Sequence, residues 1–506
     1  MNFYKATIPF FVFVTGACVL IIELLAIRML APYFGNTIFA VSSVISVVLA
    51  ALSLGYYAGG KMADRYPKEE LFYGIIAASG CCIIVLRLLG IIFLYQWGYK
   101  LSLTTGPFIA ALFLFFPQSF LLGTLSPFAI KLQAMRQEAV GLGSVSGGIF
   151  FWSTLGSIFG SLSAGFFLIP TFGINSIILT IGVILIILGV FSMLKVSVWL
   201  KLSSAATVLL VFVIFMHFLA VSLEAENKKA GWYSRDGVYQ KITIHDGQYK
   251  GKPTRFLSQD RDSSAAQFIG SSELVYDYTK YYALYKIFNP GVRQALMIGG
   301  GGYSVPMALL SESPEITVEV AEIEPMLFNL IKAHFNIPDD KRLHNVVEDG
   351  RRFLAQTQKK YDLIFSDAYA SLYSAPSHLT TQEFFTLAKS RLNDHGVFIA
   401  NVIGSLAQKP ESLALSEIKT FKQVFNNSYF FAVVSPESPT LQNLIFIGYN
   451  SADIVDLQGT GVLSNGNVTI REASQKQINV DLFDLSGYPV LTDDFSPVEY
   501  LIAKEL

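Results

Sequence analysis

Cysteine is confined to Cys18, Cys81 and Cys82, all inside apolar runs near the amino terminus. A disulfide framework or a cysteine-ligated zinc in the rest of the chain is thereby excluded. Charge is also scarce: only 15% of the 506 residues are charged, too few for a single soluble domain of that length. With a net charge of −1 and no stripe rich in lysine and arginine, a nucleic-acid partner has no support. The six histidines never form His-Glu-x-x-His, no Gly-x4-Gly-Lys loop occurs, and no Gly-x-Ser-x-Gly elbow precedes a helix. Gly141-Leu-Gly-Ser-Val comes nearest and lacks it. No metal is expected, and nucleophilic hydrolysis is set aside.

What the chain does have is apolar length, unevenly spread. Between Ile8 and Leu223 long apolar runs follow one another, whereas from Glu224 onward charges recur every few residues. This divides the chain into a helical membrane domain at 1–223, a small β unit with linker at 224–270, and a larger α/β domain at 271–506. A bilayer crossing takes about 20 apolar residues. Seven segments reach that length: about 8–30, 37–59, 71–94, 104–129, 145–169, 174–194 and 202–222. The first is as long as a span and is followed by others, so it reads as a span and not as a cleaved signal. Small residues at helical spacing, Gly55-x3-Gly59 and Gly156-x3-Gly160-x3-Ala164, predict close helix contacts.

Basic residues collect on one side of this arrangement: Lys5; Lys61, Arg65 and Lys68; Lys131 and Arg136; Lys195 and Lys201. They predict a cytoplasmic amino terminus in a multi-pass cell-membrane protein. Seven crossings would then put the soluble part outside. A cytosolic small-molecule cosubstrate would instead require that one segment, 202–222 with its Lys201 and His217 being the suspect, does not cross. Glu23, Arg28 and Arg87 lie in or at the ends of spans, where ionisable groups are costly and mark candidate pathways. Snorkelling of Arg28 is the plain alternative. The run Gly55 to Arg65 looks like the loop between the second and third helices of major facilitator transporters, though only about six helices of such a transporter could be present.

In the soluble part, alternation in Tyr239–His245 and Thr254–Leu257 predicts a small antiparallel unit, and Ser272–Phe288 a helix. Strands then alternate with helices, at 295–298, 317–321, 344–347, 362–366 and 396–402, which predicts a parallel, doubly wound sheet. Ligands bind such sheets outside the strand carboxyl ends. Four strand tips carry suggestive chemistry there. Gly299, Gly300 and Gly301 form a turn that backbone-ligand contact could use. Glu322 is placed for ribose hydroxyls. Asp349 and Gly350 follow the third strand, where a carboxylate could take an adenine amino group, and Asp367 faces a reacting centre. Each has a duller reading as a turn glycine, a solvated helix start or an N-cap. All four together, in order, are harder to assign to chance.

The run Leu296-Met-Ile-Gly-Gly-Gly-Gly-Tyr, then Val320-Ala-Glu-Ile-Glu, Val347-Glu-Asp-Gly, Tyr361-Asp-Leu-Ile-Phe-Ser-Asp and Leu379-Thr-Thr-Gln-Glu-Phe-Phe is similar to the spermidine synthase family. The whole chain resembles its membrane-fused relatives, which often end in a Thr-Asp-Asp-x-x-Pro-Val-Glu segment, here Thr492 to Glu499. The resemblance implies a Rossmann-like domain of the class I S-adenosylmethionine methyltransferase type and, as cosubstrate, decarboxylated S-adenosylmethionine or S-adenosylmethionine. It implies aminopropyl transfer to a small-molecule amine or polyamine. By resemblance Asp367 is the base or amine orienter, Gln267, Glu322 and Asp349 hold the nucleoside, and Tyr276 lines the acceptor pocket.

Two departures stand out: Gly302 and Ala370 occupy positions where the family has acids that grip amines. Asp277, Asp493 or Asp494 could replace them if they fold into the pocket. Methyl transfer to an amine or lipid headgroup, and a non-catalytic transporter or sensor binding a nucleoside or polyamine, stay open, as does a homodimer.

Overall fold

The computed structural model describes residues 7–137, 139–194, 214–219, 221–222, 233–260, 262–368 and 376–505. The chain forms two compact units, Met1–Gly231 and Trp232–Leu506.

Among the described residues the first unit has six helices long and apolar enough to cross a membrane. They are α1 (Thr7–Phe34), α2 (Ile38–Arg65), α3 (Glu69–Trp97), α4 (Gly106–Arg136), α5 (Leu142–Ser163, carried on to Thr171 by a π turn) and α6 (Ile174–Leu194). The expected seventh segment, 202–222, falls largely outside the described residues, which include helical turns at 214–219 and 221–222.

Both glycine stripes sit where backbones meet. A Cβ on Gly156 would lie 2.0 Å from the Phe13 carbonyl oxygen of α1, and one on Gly160 2.3 Å from that of Ala17. Gly55 and Gly59 likewise face the Phe120 and Thr124 carbonyls of α4, each at 2.4 Å. In lipid, where no hydrophobic drive pairs helices, such an approach would supply the packing. The run compared with a transporter loop is helical to Arg65, leaving only 66–68 as connection. At that end Lys131 pairs with Asp64 at 2.9 Å and Arg136 with Glu69 at 2.6 Å, joining α4 to α2 and to α3. Arg87 is buried in α3, with Nη1 3.3 Å from His217 Nδ1.

The second unit begins with an antiparallel sheet in the order β1 (Tyr233–Asp236), β2 (Lys241–Tyr249), β3 (Lys252–Gln259), β4 (Asp262–Phe268). Its Ile242, Ile244 and Leu257 share a core with the larger sheet that follows. Buried Glu324 ties the two together by accepting from the backbone N–H groups of Val238 and Tyr239. The expected helix over 272–288 is instead a 3-10 stretch, Asp277–Leu284, ending in one α turn, Tyr285–Phe288. The Thr279 hydroxyl bonds the Tyr276 carbonyl three residues back, and the aromatic run that follows has modest α propensity.

The larger sheet contains β5 (Gln294–Ile298), β6 (Thr317–Glu322), β7 (Leu343–Val347), β8 (Tyr361–Ser366), β9 (Leu392–Gly404), β10 (Ser428–Ala432) and β11 (Gln442–Tyr449), in the order β10-β11-β9-β8-β5-β6-β7. The strands from β9 to β7 are parallel neighbours, the doubly wound pattern expected from the alternation. The strand-helix alternation ends at β9; β11 and β10, which it does not predict, extend the sheet antiparallel, making it mixed. Chain order reverses between β5 and β8, and the crevice at such a switch point is where open α/β sheets bind ligands.

Candidate active site

At the carboxyl ends of β5, β6 and β8 lies a cavity of about 600 Å³. Gly299 and Gly301 enter its wall from the turn after β5, Glu322 from the tip of β6, Asp349 and Gly350 from the turn after β7, and Asp367 from the tip of β8. Gly299 has φ +90°, and a Cβ there would lie 2.4 Å from the Asp367 carbonyl oxygen. Only glycine lets the two strand tips approach this closely. Gly300 does not line the main cavity; its N–H donates to Glu322 at 2.8 Å.

Glu322, 5% exposed, also accepts from the N–H of Glu324 at 2.8 Å. Burial raises its carboxyl pKa, against the lowering effect of these N–H groups. Each oxygen keeps a further lone pair for a ligand hydroxyl. Asp349 is an N-cap as well as a wall residue: it accepts from Arg352 N at 2.9 Å, at the start of α9 (Gly350–Gln356; α7 being Ser304–Glu312 and α8 Leu327–His334). His378 Nε2 lies 2.9 Å from its other oxygen, and that hydrogen bond lowers the Asp349 pKa.

Asp367 receives a hydrogen bond from Asn401 Nδ2 at 2.8 Å, and Asn443 Nδ2 donates to Asn401 Oδ1 at 2.9 Å. This second contact turns the Asn401 amide so that its NH2 points at the carboxylate. The Tyr278 hydroxyl also acts on Asp367, lowering its pKa as a donor would. Burial raises the Asp367 pKa, and these two donors offset part of the rise. A buried carboxylate with a raised pKa is a stronger base than one in water.

Tyr249, Tyr276 and Tyr278 form an aromatic side, with Tyr249 edge-on to Tyr276 at 5.8 Å and Tyr276 stacked on Tyr278 at 6.1 Å. Asp277 lines the cavity too, paired with Lys250 at 2.9 Å and Lys280 at 2.8 Å. Burial raises its pKa, but the hydrogen bonds from Lys280 and Lys250 outweigh that and the net shift is down.

Three more expected site residues are elsewhere. Gln267 does not line the cavity; it sits near the end of β4, bridged to Leu274. Gln240 and Gln259 line it instead. Asp493 points to Arg351, held by a bidentate pair and by Thr381 Oγ1 at 2.9 Å. That pairing fastens the carboxyl-terminal segment to the helix Asp349 caps. Exposed Asp494 is also outside the wall. Gly302 is crowded: a Cβ there would lie 2.7 Å from the Ala265 Cβ. Ala370 lies outside the described residues.

Asn401 and Glu417 went unremarked in the sequence, though each left a trace. Asn401 is a lone amide in the apolar run Phe398 to Ile403. Glu417 falls on the apolar face of α11 (Leu413–Val424; α10 being Gln382–Ser390), beside Leu413, Ala414 and Phe421. It is 0% exposed, and neither oxygen has a hydrogen-bond partner. It borders a water-sized void of about 20 Å³ that shares Ala368, Pro376, Leu379 and Asn401 with the main cavity. Burial, with Glu505 adding, pushes its pKa well above the usual value.

Because the Glu417 pKa is raised on folding, its contribution to stability is intact below its unfolded value of about 4.3. That contribution is lost as pH climbs through the folded pKa. Glu417→Gln should therefore unfold at a higher temperature than the wild type at alkaline pH and match it in acid. Parallel melting curves across pH would refute this.

The family model for the spermine/spermidine synthase domain matches residues 283–457. A polyamine aminopropyltransferase of Vibrio vulnificus is 31% identical over 150 residues, 29% of this chain and 48% of that protein. Polyamine aminopropyltransferase 2 of Aquifex aeolicus is 24% identical over 445 residues, 84% of each chain. The chain thus spans about half the length of the Vibrio relative. A crystal structure of a probable spermidine synthase from Corynebacterium glutamicum superposes with TM-score 0.43 at 20% identity, covering 53% of this chain and 98% of that one.

Proposed function

We propose that this chain, whose residues 283–457 match the family model for the spermine/spermidine synthase domain, transfers an aminopropyl group from decarboxylated S-adenosylmethionine to an amine. The observation that carries this reading is the convergence of Gly299, Gly301, Glu322, Asp349 and Asp367 on one cavity. Glu322 accepts from the ribose hydroxyls, Asp349 and Gly350 border the base, and the glycine turn admits the sulfonium chain. Tyr276 and Tyr278 give the aromatic wall that favours a cation.

In the reaction the amine nitrogen attacks the propyl carbon bonded to sulfur. The C–N bond forms as the C–S bond breaks, and sulfur keeps the electron pair, leaving 5′-methylthioadenosine. The proton lost by the amine goes to the Asp367 carboxylate. Asn401 and Tyr278 hold that carboxylate in one orientation, and holding the reactants in line supplies much of the rate.

We further infer a multi-pass membrane protein with its amino terminus in the cytoplasm. Six crossings return the chain to the side where it started, which puts the soluble unit with its cosubstrate. This requires that 202–222 not cross.

The test is to incubate the purified full-length protein with decarboxylated S-adenosylmethionine and, separately, with S-adenosylmethionine, each with mixed amines. Methylthioadenosine released from the decarboxylated form is expected. Release of S-adenosylhomocysteine would establish methyl transfer in its place, and binding of neither nucleoside would end the transferase reading.

A further inference from the structure

The carboxyl-terminal segment Thr492 to Glu499 stands outside the cavity wall, yet it is pinned at both ends. Leu491 and Val498 are each 0% exposed and share a small core with Leu413, Leu501 and Ile502. Leu491 N also donates to Thr420 Oγ1 of α11 at 2.9 Å. A stretch tied down on either side presents Asp493 as an acceptor in a fixed place.

Asp493 joins helices α9 and α10. Its Oδ1 accepts from Arg351 Nη1 at 2.6 Å and from Thr381 Oγ1 at 2.9 Å, its Oδ2 accepts from Arg351 Nη2, and its own N–H donates to Glu383 at 3.0 Å. Arg351 Nη1 also donates to the His378 carbonyl at 3.0 Å. His378, with its described neighbours Pro376 and Leu379, lines the cavity, and its Nε2 lies 2.9 Å from Asp349 Oδ2. The contacts thus run from Asp493 through Arg351 and His378 to Asp349, the carboxylate that borders the base in the reading above.

We infer that Asp493 is a positioning residue for base recognition: it fixes Arg351, Arg351 fixes the His378 backbone, and His378 orients the Asp349 carboxylate toward the amino group of an adenine. This rests on the nucleoside pocket proposed above. The Asp493 side chain is 45% exposed, and an ion pair so open to water adds little to stability. What it supplies is direction. Bidentate pairing holds the guanidinium plane, so that the second hydrogen of Nη1 meets the His378 carbonyl. A carboxylate left to turn loses selectivity first, because its hydrogen bond depends on distance and angle. Asp367, on the far side of β5 and β6 in the sheet, is not part of this chain of contacts.

The experiment titrates 5′-methylthioadenosine and 5′-methylthioinosine, which lacks the amino group, into the full-length protein by calorimetry. The wild type should prefer the adenosine. Asp493→Asn keeps the shape and removes the charge, and it should cut that preference by about tenfold, the worth of one hydrogen bond to a charged group. KM for the decarboxylated nucleoside should rise with kcat unchanged, and the melting temperature should move by only a few degrees. Arg351→Lys keeps a charge beside Asp493 but has no planar fork to reach the His378 carbonyl as well, and should lose the preference too. An unmoved preference in either folded variant overturns the inference. So does loss of folding in both, which would make the cluster structural, and so does a wild type that binds both nucleosides alike. Failure of the wild type to bind methylthioadenosine at all would instead refute the proposed reaction, and the inference with it.

Discussion

Asp367→Asn should lower kcat by a factor of about 10² to 10⁴, the usual worth of a positioned general base, while methylthioadenosine binding is kept. The substitution preserves shape and leaves β8 and its contact with Gly299 in place. Stability should move the other way. The Asp367 pKa is raised in the folded protein, so its favourable contribution is complete below the unfolded value of about 3.9 and fades as pH rises through the folded value. At neutral pH the neutral amide should melt at or above the wild-type temperature. Lost turnover with an undiminished melting temperature separates a base from a structural acid. Activity within tenfold of wild type would remove Asp367 from the chemistry.

The second large effect is expected at Glu322. Hydrogen bonds to a charged group contribute about 1.5–3 kcal/mol each, so losing the acceptor for two ribose hydroxyls in Glu322→Ala should weaken nucleoside binding by about 100-fold or more. The same change strips buried partners from the N–H groups of Gly300 and Glu324, at about 1–3 kcal/mol apiece. A melting curve must therefore accompany the titration. Glu322→Gln retains one acceptor oxygen and should fall between the two proteins in both measurements. If Glu322→Ala folds and binds methylthioadenosine as the wild type does, the ribose role is wrong.

The parts of this site legible in the sequence are those fixed by position along a single strand. Gly299, Glu322 and Asp367 each follow an apolar run that could only be a central strand, and the tip of such a strand is a local property. Helices α1 to α6 were legible for the same reason, since apolar length alone announces them. Residues whose direction depends on distant partners were not legible. Asp493 looks like a free acid until Arg351, 142 positions away, is seen to hold it. Gln267 and Gln259 lie on one hairpin, and choosing between them needs the twist and the register shift after Leu257. Strands β10 and β11 bear apolar runs like the others, but their antiparallel return breaks the strand-helix rhythm used to find the sheet. Glu417 could be recognised only as an acid out of place on an apolar helix face, because the void beside it is assembled from three separate segments.

The contact between Gly302 and Ala265 also bears on how this protein could change over time. Placing an acid after the glycine turn is not one substitution, since any side chain at 302 collides with the Cβ of Ala265, and that neighbour must first shrink to glycine or shift. Neither step helps without the other. With a β-strand packed against this position there is no short mutational road to a carboxylate at 302, and an anchor for a cation would sooner arise elsewhere in the wall.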